Sequence, residues 1–302
     1  MSAPDQLLVV IDPVARRFDG ESVRIAKDVL CGGAAAKVCL PDTPEEFARA
    51  LARRGSRRPV VIGDDRALVR AVGLLHRGGE LGGDALSLVP VGPRETVRLA
   101  VSLGAPPGAV TAARAVLDGV ARRLDLLVDD RGGVVVGGVR IPEGTPSPEP
   151  SAPPEARFRP SGGGPPVPSV WGTCRSLVRT LVGPGGGRVP QMRGQRLRVE
   201  ADGRLLADVD DPVEGVTVVA RDGTAEVVVR PRAAAPRRSA ARTVTVSGPG
   251  GAGFGYRADA EPTGPVPRRT WTVAPAAWSL QVPSPALSPE GGATPGPEPA
   301  GR

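Results

Sequence analysis

Pro59-Val60-Val61-Ile62-Gly63-Asp64-Asp65-Arg66-Ala67 is the stretch on which the fold turns. An apolar, β-branched run ends at a glycine, and a charged turn follows at once. Such a run suits a strand buried on both faces that delivers a loop to one edge of a parallel sheet. Two other segments repeat the arrangement. Leu7-Leu8-Val9-Val10-Ile11 runs into Asp12-Pro13, and Leu86-Ser87-Leu88-Val89 runs into Pro90-Val91-Gly92. Loops collected at that edge are where open α/β sheets bind ligands.

Helical spacing fills the intervals. Residues 21–30 place Val23, Ala26, Val29 and Leu30 on one side, and a short strand is expected over 37–40. Thr43 reads as an N-cap, with Pro44 in the first turn and Glu45 and Glu46 facing the helix dipole. Further helices are expected over 67–75, 95–103 and 111–122. Strands are expected over 124–128 and 134–141, divided by a turn at Asp129-Asp130-Arg131-Gly132-Gly133. Strands alternating with helices at this spacing imply a parallel sheet covered on both faces.

Residues 142–169 are dominated by Pro, Ser, Gly and Glu, which predicts a mobile insertion. A short helix is expected over 174–182. Beyond it the pattern is all strand, over 196–200, 213–220, 224–231, 243–247, 270–273 and 278–282. Asp202-Gly203 and Asp222-Gly223 have hairpin-turn composition. The expected organisation is an α/β domain over 1–141, the insertion over 142–169, a β-sandwich over 170–283 and a disordered tail over 284–302.

Composition narrows the chemistry. The formal charge is +7 and the pI is near 10.4, which raises the question of a nucleic-acid partner. Lys27 and Lys37 are the only lysines, the arginines are scattered, and 3% of residues are aromatic. Single-strand binders pair a basic groove with aromatic platforms, so the pattern argues against nucleic acid. His76 is the only histidine, which excludes multi-histidine metal sites. Cys31, Cys39 and Cys174 form no CxxC pair and leave an odd thiol, as suits a reducing compartment. No apolar run reaches the length of a membrane span, and the start lacks a charged-then-apolar leader pattern. A cytoplasmic protein is expected, touching a membrane only from outside.

The three loops together resemble the diacylglycerol kinase catalytic-domain superfamily, which includes bacterial lipid kinases and sphingosine kinases. The opening Asn-Pro-x-Ser-Gly of that family corresponds here to Asp12-Pro13-Val14-Ala15-Arg16. Its Gly-Gly-Asp-Gly-Thr corresponds to Gly63-Asp64-Asp65-Arg66-Ala67, and its Pro-x-Gly-Thr to Pro90-Val91-Gly92-Pro93. Leu99-Ala100 and Leu103-Gly104-Ala105-Pro106 are similar to the helix that follows. Arg123-Leu124-Asp125-Leu126 is similar to a Val-Asp-Leu-Gly strand, and Asp259-Ala260-Glu261 to a C-terminal Asp-Gly-Glu segment.

The resemblance implies a nucleotide-binding α/β domain with a C-terminal β-sandwich, using ATP and magnesium to phosphorylate a lipid hydroxyl. It implies a nucleotide partner at Asp12, Pro13, Gly63, Asp64, Arg66, Ala67 and Gly92, and a lipid partner at a membrane surface. Asp65 takes the position that serves magnesium and general-base work. Asp125, Asp259 and Glu261 take positions that are either substrate-facing or structural.

The departures from the pattern bear on chemistry. Glycines let backbone N–H groups approach phosphates closely. Asp64 puts a Cβ and a negative charge in that place, while Arg66 puts bulk and a cation. Ala67 lacks a hydroxyl, and Pro93 lacks a hydroxyl and a backbone donor. The expectation is a kinase weakened or silent, and the silent form would be a nucleotide- or lipid-binding regulatory protein. Plainer readings stand beside these. Asp64 and Asp65 also suit an N-cap and first turn, and Asp125 the end of a strand. His76 suits a helix C-terminus, Asp129-Asp130 a solvated turn, and Gly185-Gly186-Gly187 a flexible loop.

Overall fold

A computed structural model describes residues 6–142, 194–259 and 261–284. Most of the expected insertion, the helix expected over 174–182, Cys174, Gly185-Gly186-Gly187 and the tail from 285 onward lie outside the described residues.

The chain begins β1 (Gln6–Ile11), α1 (Pro13–Phe18), α2 (Gly20–Gly33), β2 (Ala35–Cys39), α3 (Pro44–Ala52), β3 (Arg58–Gly63), α4 (Asp65–Arg77) and β4 (Ser87–Pro90). The four strands form a parallel sheet in the order β2-β1-β3-β4. Leu8, Val10 and Val61 face one side and pack with Phe47 of α3 and Leu68 of α4. Leu7, Val9, Ile11, Val60 and Ile62 face the other and pack with Val23, Ala26 and Leu30 of α2. Burial on both faces is why β1 and β3 are continuously apolar rather than alternating. The register pairs Ile11 with Ile62 and Gly63 with Pro90, so the loops after β1, β3 and β4 emerge at one edge.

Next come α5 (Arg98–Ser102) and α6 (Ala109–Asp118). The helix expected over 95–103 is split into a short 3-10 turn at Arg94–Thr96 and α5. The break has a physical origin, because the Asp65 carboxylate accepts the N–H groups of Leu99 and Ala100 and anchors the start of α5. The helix expected over 111–122 stops at Asp118. A Cβ at Gly119 would lie 2.2 Å from the carbonyl oxygens of both Ala115 and Val282. Only glycine permits this crossing, and the chain leaves it as a strand.

The remaining elements are β5 (Val120–Asp129), β6 (Val134–Val135), β7 (Val139–Ile141), β8 (Arg198–Ala201), β9 (Arg204–Ala207), β10 (Val213–Arg221), β11 (Thr224–Pro231), β12 (Arg237–Ala241), β13 (Thr243–Ser247), β14 (Phe254–Ala258), β15 (Glu261–Val266) and β16 (Arg268–Val282). They form two six-stranded sheets, β12-β11-β10-β7-β14-β15 and β6-β5-β16-β13-β8-β9. Side chains of both sheets meet in one core, where Tyr256 stands edge-on to Trp271 at 5.3 Å between ring centroids. The architecture is thus an α/β parallel sheet joined to a C-terminal antiparallel β-sandwich.

The sheets do not divide at residue 141. β5, β6 and β7 belong to the sandwich sheets, because β5 pairs with β16 along most of its length. The strand expected over 134–141 is two strands, interrupted at Gly137-Gly138, and Gly138 has φ of 151°. Conversely, the two strands expected over 270–273 and 278–282 are one, with an irregularity between Ala274 and Trp278. The parallel sheet is tied to the sandwich where Leu86 N–H donates to Ser279 O and Gln281 N–H donates to Leu86 O, each at 2.9 Å.

Candidate functional site

The three loops at the sheet edge touch one another. A Cβ at Gly63 would lie 2.6 Å from the Ala67 Cβ and 3.1 Å from the Asp12 Cβ. One at Gly92 would lie 2.7 Å from Thr96 Oγ1 and 3.4 Å from the Asp64 Cβ. Both glycines are therefore points of close approach, and Val91 N–H donates to Gly63 O at 3.0 Å to tie the loops together. Their hydrogen bonds show what the loops are free to do.

Asp12 is buried at the end of β1, where its side chain caps α1. Its Oδ1 accepts the Val14 N–H at 2.8 Å, and its Oδ2 accepts from Arg70 Nη1 at 3.1 Å. Arg70 comes from α4 and lies over the Phe47 ring, 5.6 Å from its centroid. Pro13 follows as the first helical residue, as its fixed φ favours.

Asp64 is the N-cap of α4, with extended backbone at φ −94° and ψ −172°. Its Oδ1 accepts the N–H groups of Arg66 and Ala67, each at 3.1 Å. A helix N-terminus is an anion site because those donors and the dipole point outward. Here the chain supplies the anion itself.

Asp65 is the first residue of α4 and only 4% exposed. Its Oδ2 accepts the Leu99 N–H at 2.9 Å and its Oδ1 the Ala100 N–H at 2.8 Å. Burial raises its pKa above the ordinary aspartate value, the two N–H groups oppose that, and the neighbouring Asp64 charge adds to it.

Asp259 comes from the far end of the chain and arrives beside them. It has φ of 52°, a left-handed conformation that aspartate tolerates better than most residues. Its Oδ1 accepts from the N–H groups of Gly137 and Gly138 at 2.6 and 3.0 Å, and its Oδ2 from Val136 at 3.0 Å. Desolvation is the largest influence and raises its pKa; three N–H groups lower it, and the Asp65 charge raises it further. Nearby, Arg66 Nε pairs with Glu261 Oε1 at 2.6 Å, with both side chains more than half exposed.

Asp125 lies elsewhere. Its Oδ2 accepts the Gly223 N–H and its Oδ1 the Ala276 N–H, both at 2.7 Å, and its carbonyl accepts from Trp278 Nε1 at 3.3 Å. It pins a hairpin turn and the irregularity in β16. Asp129 closes its own turn by accepting the N–H groups of Arg131 and Gly133. His76 sits in the last turn of α4.

Asp12, Gly63, Asp64, Asp65, Ala67 and Gly92 thus come together, with Arg66, Glu261 and Asp259 alongside. Sequence reasoning missed Arg70, the Leu99 and Ala100 donors and the Gly137-Gly138 cradle. The paired glycines inside an apolar strand were a readable sign of the last. Among the described residues no three His, Cys, Asp or Glu side chains gather as a metal-binding group, and no helix is long and apolar enough to cross a membrane. A separate groove of about 350 Å³ between β2 and α3, lined by Lys37, Cys39, Leu40 and Arg53, shares no residue with the loops.

No protein-family model matches the sequence, and no curated protein matches it. Solved structures do. A "putative diacylglycerol kinase" from Bacillus anthracis str. Sterne is similar at a TM-score of 0.66 and 11% identity, over 93% of this chain and 98% of that one. A crystal structure described in the same words, from the same organism, is similar at 0.66 and 12% identity, over 93% and 96%. A crystal structure of a diacylglycerol kinase from that organism is similar at 0.66 and 12% identity, over 95% and 100%. At such identity the likeness establishes the fold, and the fold is that of the diacylglycerol kinases.

Proposed function

We propose that this chain is a protein of the diacylglycerol kinase fold that binds an anionic ligand in its cleft without transferring a phosphoryl group. The observation that carries the absence of transfer is the Asp64 carboxylate on the N–H groups of Arg66 and Ala67. A phosphate approaching the start of α4 would meet a negative charge in place of open donors.

ATP with magnesium, which the family resemblance implied, does not fit the residues present. Each oxygen of Asp65 already accepts a backbone N–H within a 4% exposed site. Both oxygens of Asp12 are likewise engaged, one by Arg70. A magnesium ion needs near-octahedral oxygen ligands, and among the described residues no three His, Cys, Asp or Glu side chains gather to supply them. Phosphoryl transfer depends on positioning and charge stabilisation, and losing one preorganised donor costs about 10²–10³ in rate.

The test is magnesium-dependent transfer of labelled γ-phosphate from ATP to a mixed lipid extract, beside Asp65→Asn. The expected result is no labelled lipid from either protein. Labelled lipid that vanishes in Asp65→Asn would overturn the proposal in favour of a working lipid kinase. A triple variant, Asp64→Gly with Arg66→Gly and Ala67→Thr, should gain ATP binding if the self-capped loop is what excludes the nucleotide.

A further inference from the structure

While the acids of this cleft are consumed by backbone N–H groups, a set of arginines beside them is not. Arg98 opens α5, next to Leu99, whose N–H holds Asp65. Arg140 stands on β7, two residues beyond Gly138, whose N–H holds Asp259. The register pairs Arg140 with Thr217 of β10 on one side and with Arg257 of β14 on the other. Arg230 of β11 pairs with Gly215 of β10. Residues two apart on a strand share a face, so Gly215 and Thr217 present one side of β10, flanked by Arg230 and Arg140. At Gly215 a Cβ would come 3.2 Å from Ile141 O and 4.0 Å from Arg230 Nη1, so the Arg230 guanidinium reaches over this position towards β7.

Among the described residues Arg98, Arg140 and Arg230 make no side-chain hydrogen bond or ion pair, whereas Arg257 has a partner of its own. Arg140 is exposed on its strand, yet desolvation lowers its pKa, followed by the charges of Arg230, Arg98 and Arg257. A guanidinium does not release its proton in a protein, so the charge persists at a cost that a bound anion would relieve. Among the described residues no carboxylate pairs with the three: Asp65 and Asp259 accept from backbone N–H groups, and Glu261 pairs with Arg66.

We propose that Arg98, Arg140 and Arg230 form a site for a phosphate monoester, carried by a small soluble molecule or by a lipid headgroup. The proposal rests on the binding-only reading above and names its ligand class. A monocarboxylate would leave two of the three cations unmatched, whereas a phosphate monoester carries a charge of about −1.5 to −2 at neutral pH. Its oxygens match the planar guanidinium fork, which a lysine would not.

The test titrates the full chain with glycerol 3-phosphate by calorimetry. Separately, it measures sedimentation with phosphatidylcholine vesicles that contain or lack phosphatidic acid. Arg98→Gln, Arg140→Gln, Arg230→Gln and Arg140→Lys are compared with Arg24→Gln on the α2 surface, with folding checked by circular dichroism. Expected is binding of at least one phosphomonoester probe, weakened about tenfold by each cluster Gln variant and unchanged in Arg24→Gln. Arg140→Lys should fall between, and added salt should weaken binding. Glycerol 3-phosphate binding assigns a soluble ligand; binding only to phosphatidic acid vesicles assigns a headgroup. Failure of both probes overturns the proposal, as does binding that ignores the cluster variants or falls equally in Arg24→Gln. Lipid phosphorylation is read separately, so a silent protein that binds neither probe overturns this site and leaves the binding-only reading standing.

Discussion

Asp65 and Asp259, separated by nearly two hundred residues, come close enough that the charge of the first raises the pKa of the second. Both have pKa values above the ordinary aspartate value of 3.8, chiefly through desolvation. The folded state therefore holds these protons more tightly than the unfolded chain does. Their contribution to stability is fully present below about 3.8 and is lost as pH rises through the raised values. Urea denaturation at a series of pH values should show wild type losing stability relative to Asp259→Asn as pH climbs. A pH-independent gap would remove the linkage. Asp19, Glu21 and Glu45, whose lowered values act in the opposite sense, are common to both proteins.

Asp64 has a measurable structural role. Asp64→Ala removes the acceptor of two N–H groups at the start of α4 and should cost about 1 kcal/mol, with Asp64→Gly costing only a few tenths. Equal losses in thermal or urea unfolding would show that the cap is not what the residue supplies.

Gly63→Ala tests the contact between loops. The added Cβ falls 2.6 Å from the Ala67 Cβ and 3.1 Å from the Asp12 Cβ, so the loops must separate, at a cost of about 1–3 kcal/mol. A variant as stable as wild type would mean that the loops are not packed as described.

Asp125 should behave as a structural residue. Asp125→Ala leaves the part-buried Gly223 and Ala276 N–H groups without their acceptor, which should cost about 0.5–1.5 kcal/mol for each hydrogen bond lost. Hydrogen exchange should accelerate at Gly223 and Ala276 first. Faster exchange confined to the loops around Asp65 would place Asp125 in the cleft instead.

The Arg66–Glu261 pair should contribute little to stability despite its 2.6 Å separation. Both side chains are more than half exposed, and a double-mutant cycle with Arg66→Gln and Glu261→Gln should return a coupling below about 1 kcal/mol. A much larger coupling would assign the pair a part in holding the halves of the chain together.

Much of the fold was legible because local physics wrote it. β1 and β3 read as buried strands because both faces are covered, so their apolar runs are unbroken. Thr43 and Pro44 marked the start of α3 because a cap needs its acceptor and proline suits the first turn. β9 and β12 were not legible: β9 is only four residues long and β12 is mostly polar, and each is paired only because a neighbour lies beside it. The split of 134–141 escaped because its cause is Asp259, more than a hundred residues away.

Sequence alone determined the strand-and-loop rhythm, the glycines at loop contacts and the identity of every acid and arginine in the cleft. Only the tertiary structure decided which partner each of them takes. Asp64 and Asp65 are adjacent in sequence, yet one caps its own helix while the other anchors a helix some thirty residues on. Arg140 and Arg230 are ninety residues apart, yet flank a single strand. A carboxylate's chemistry depends on what its oxygens already accept, and those donors are set by long-range packing.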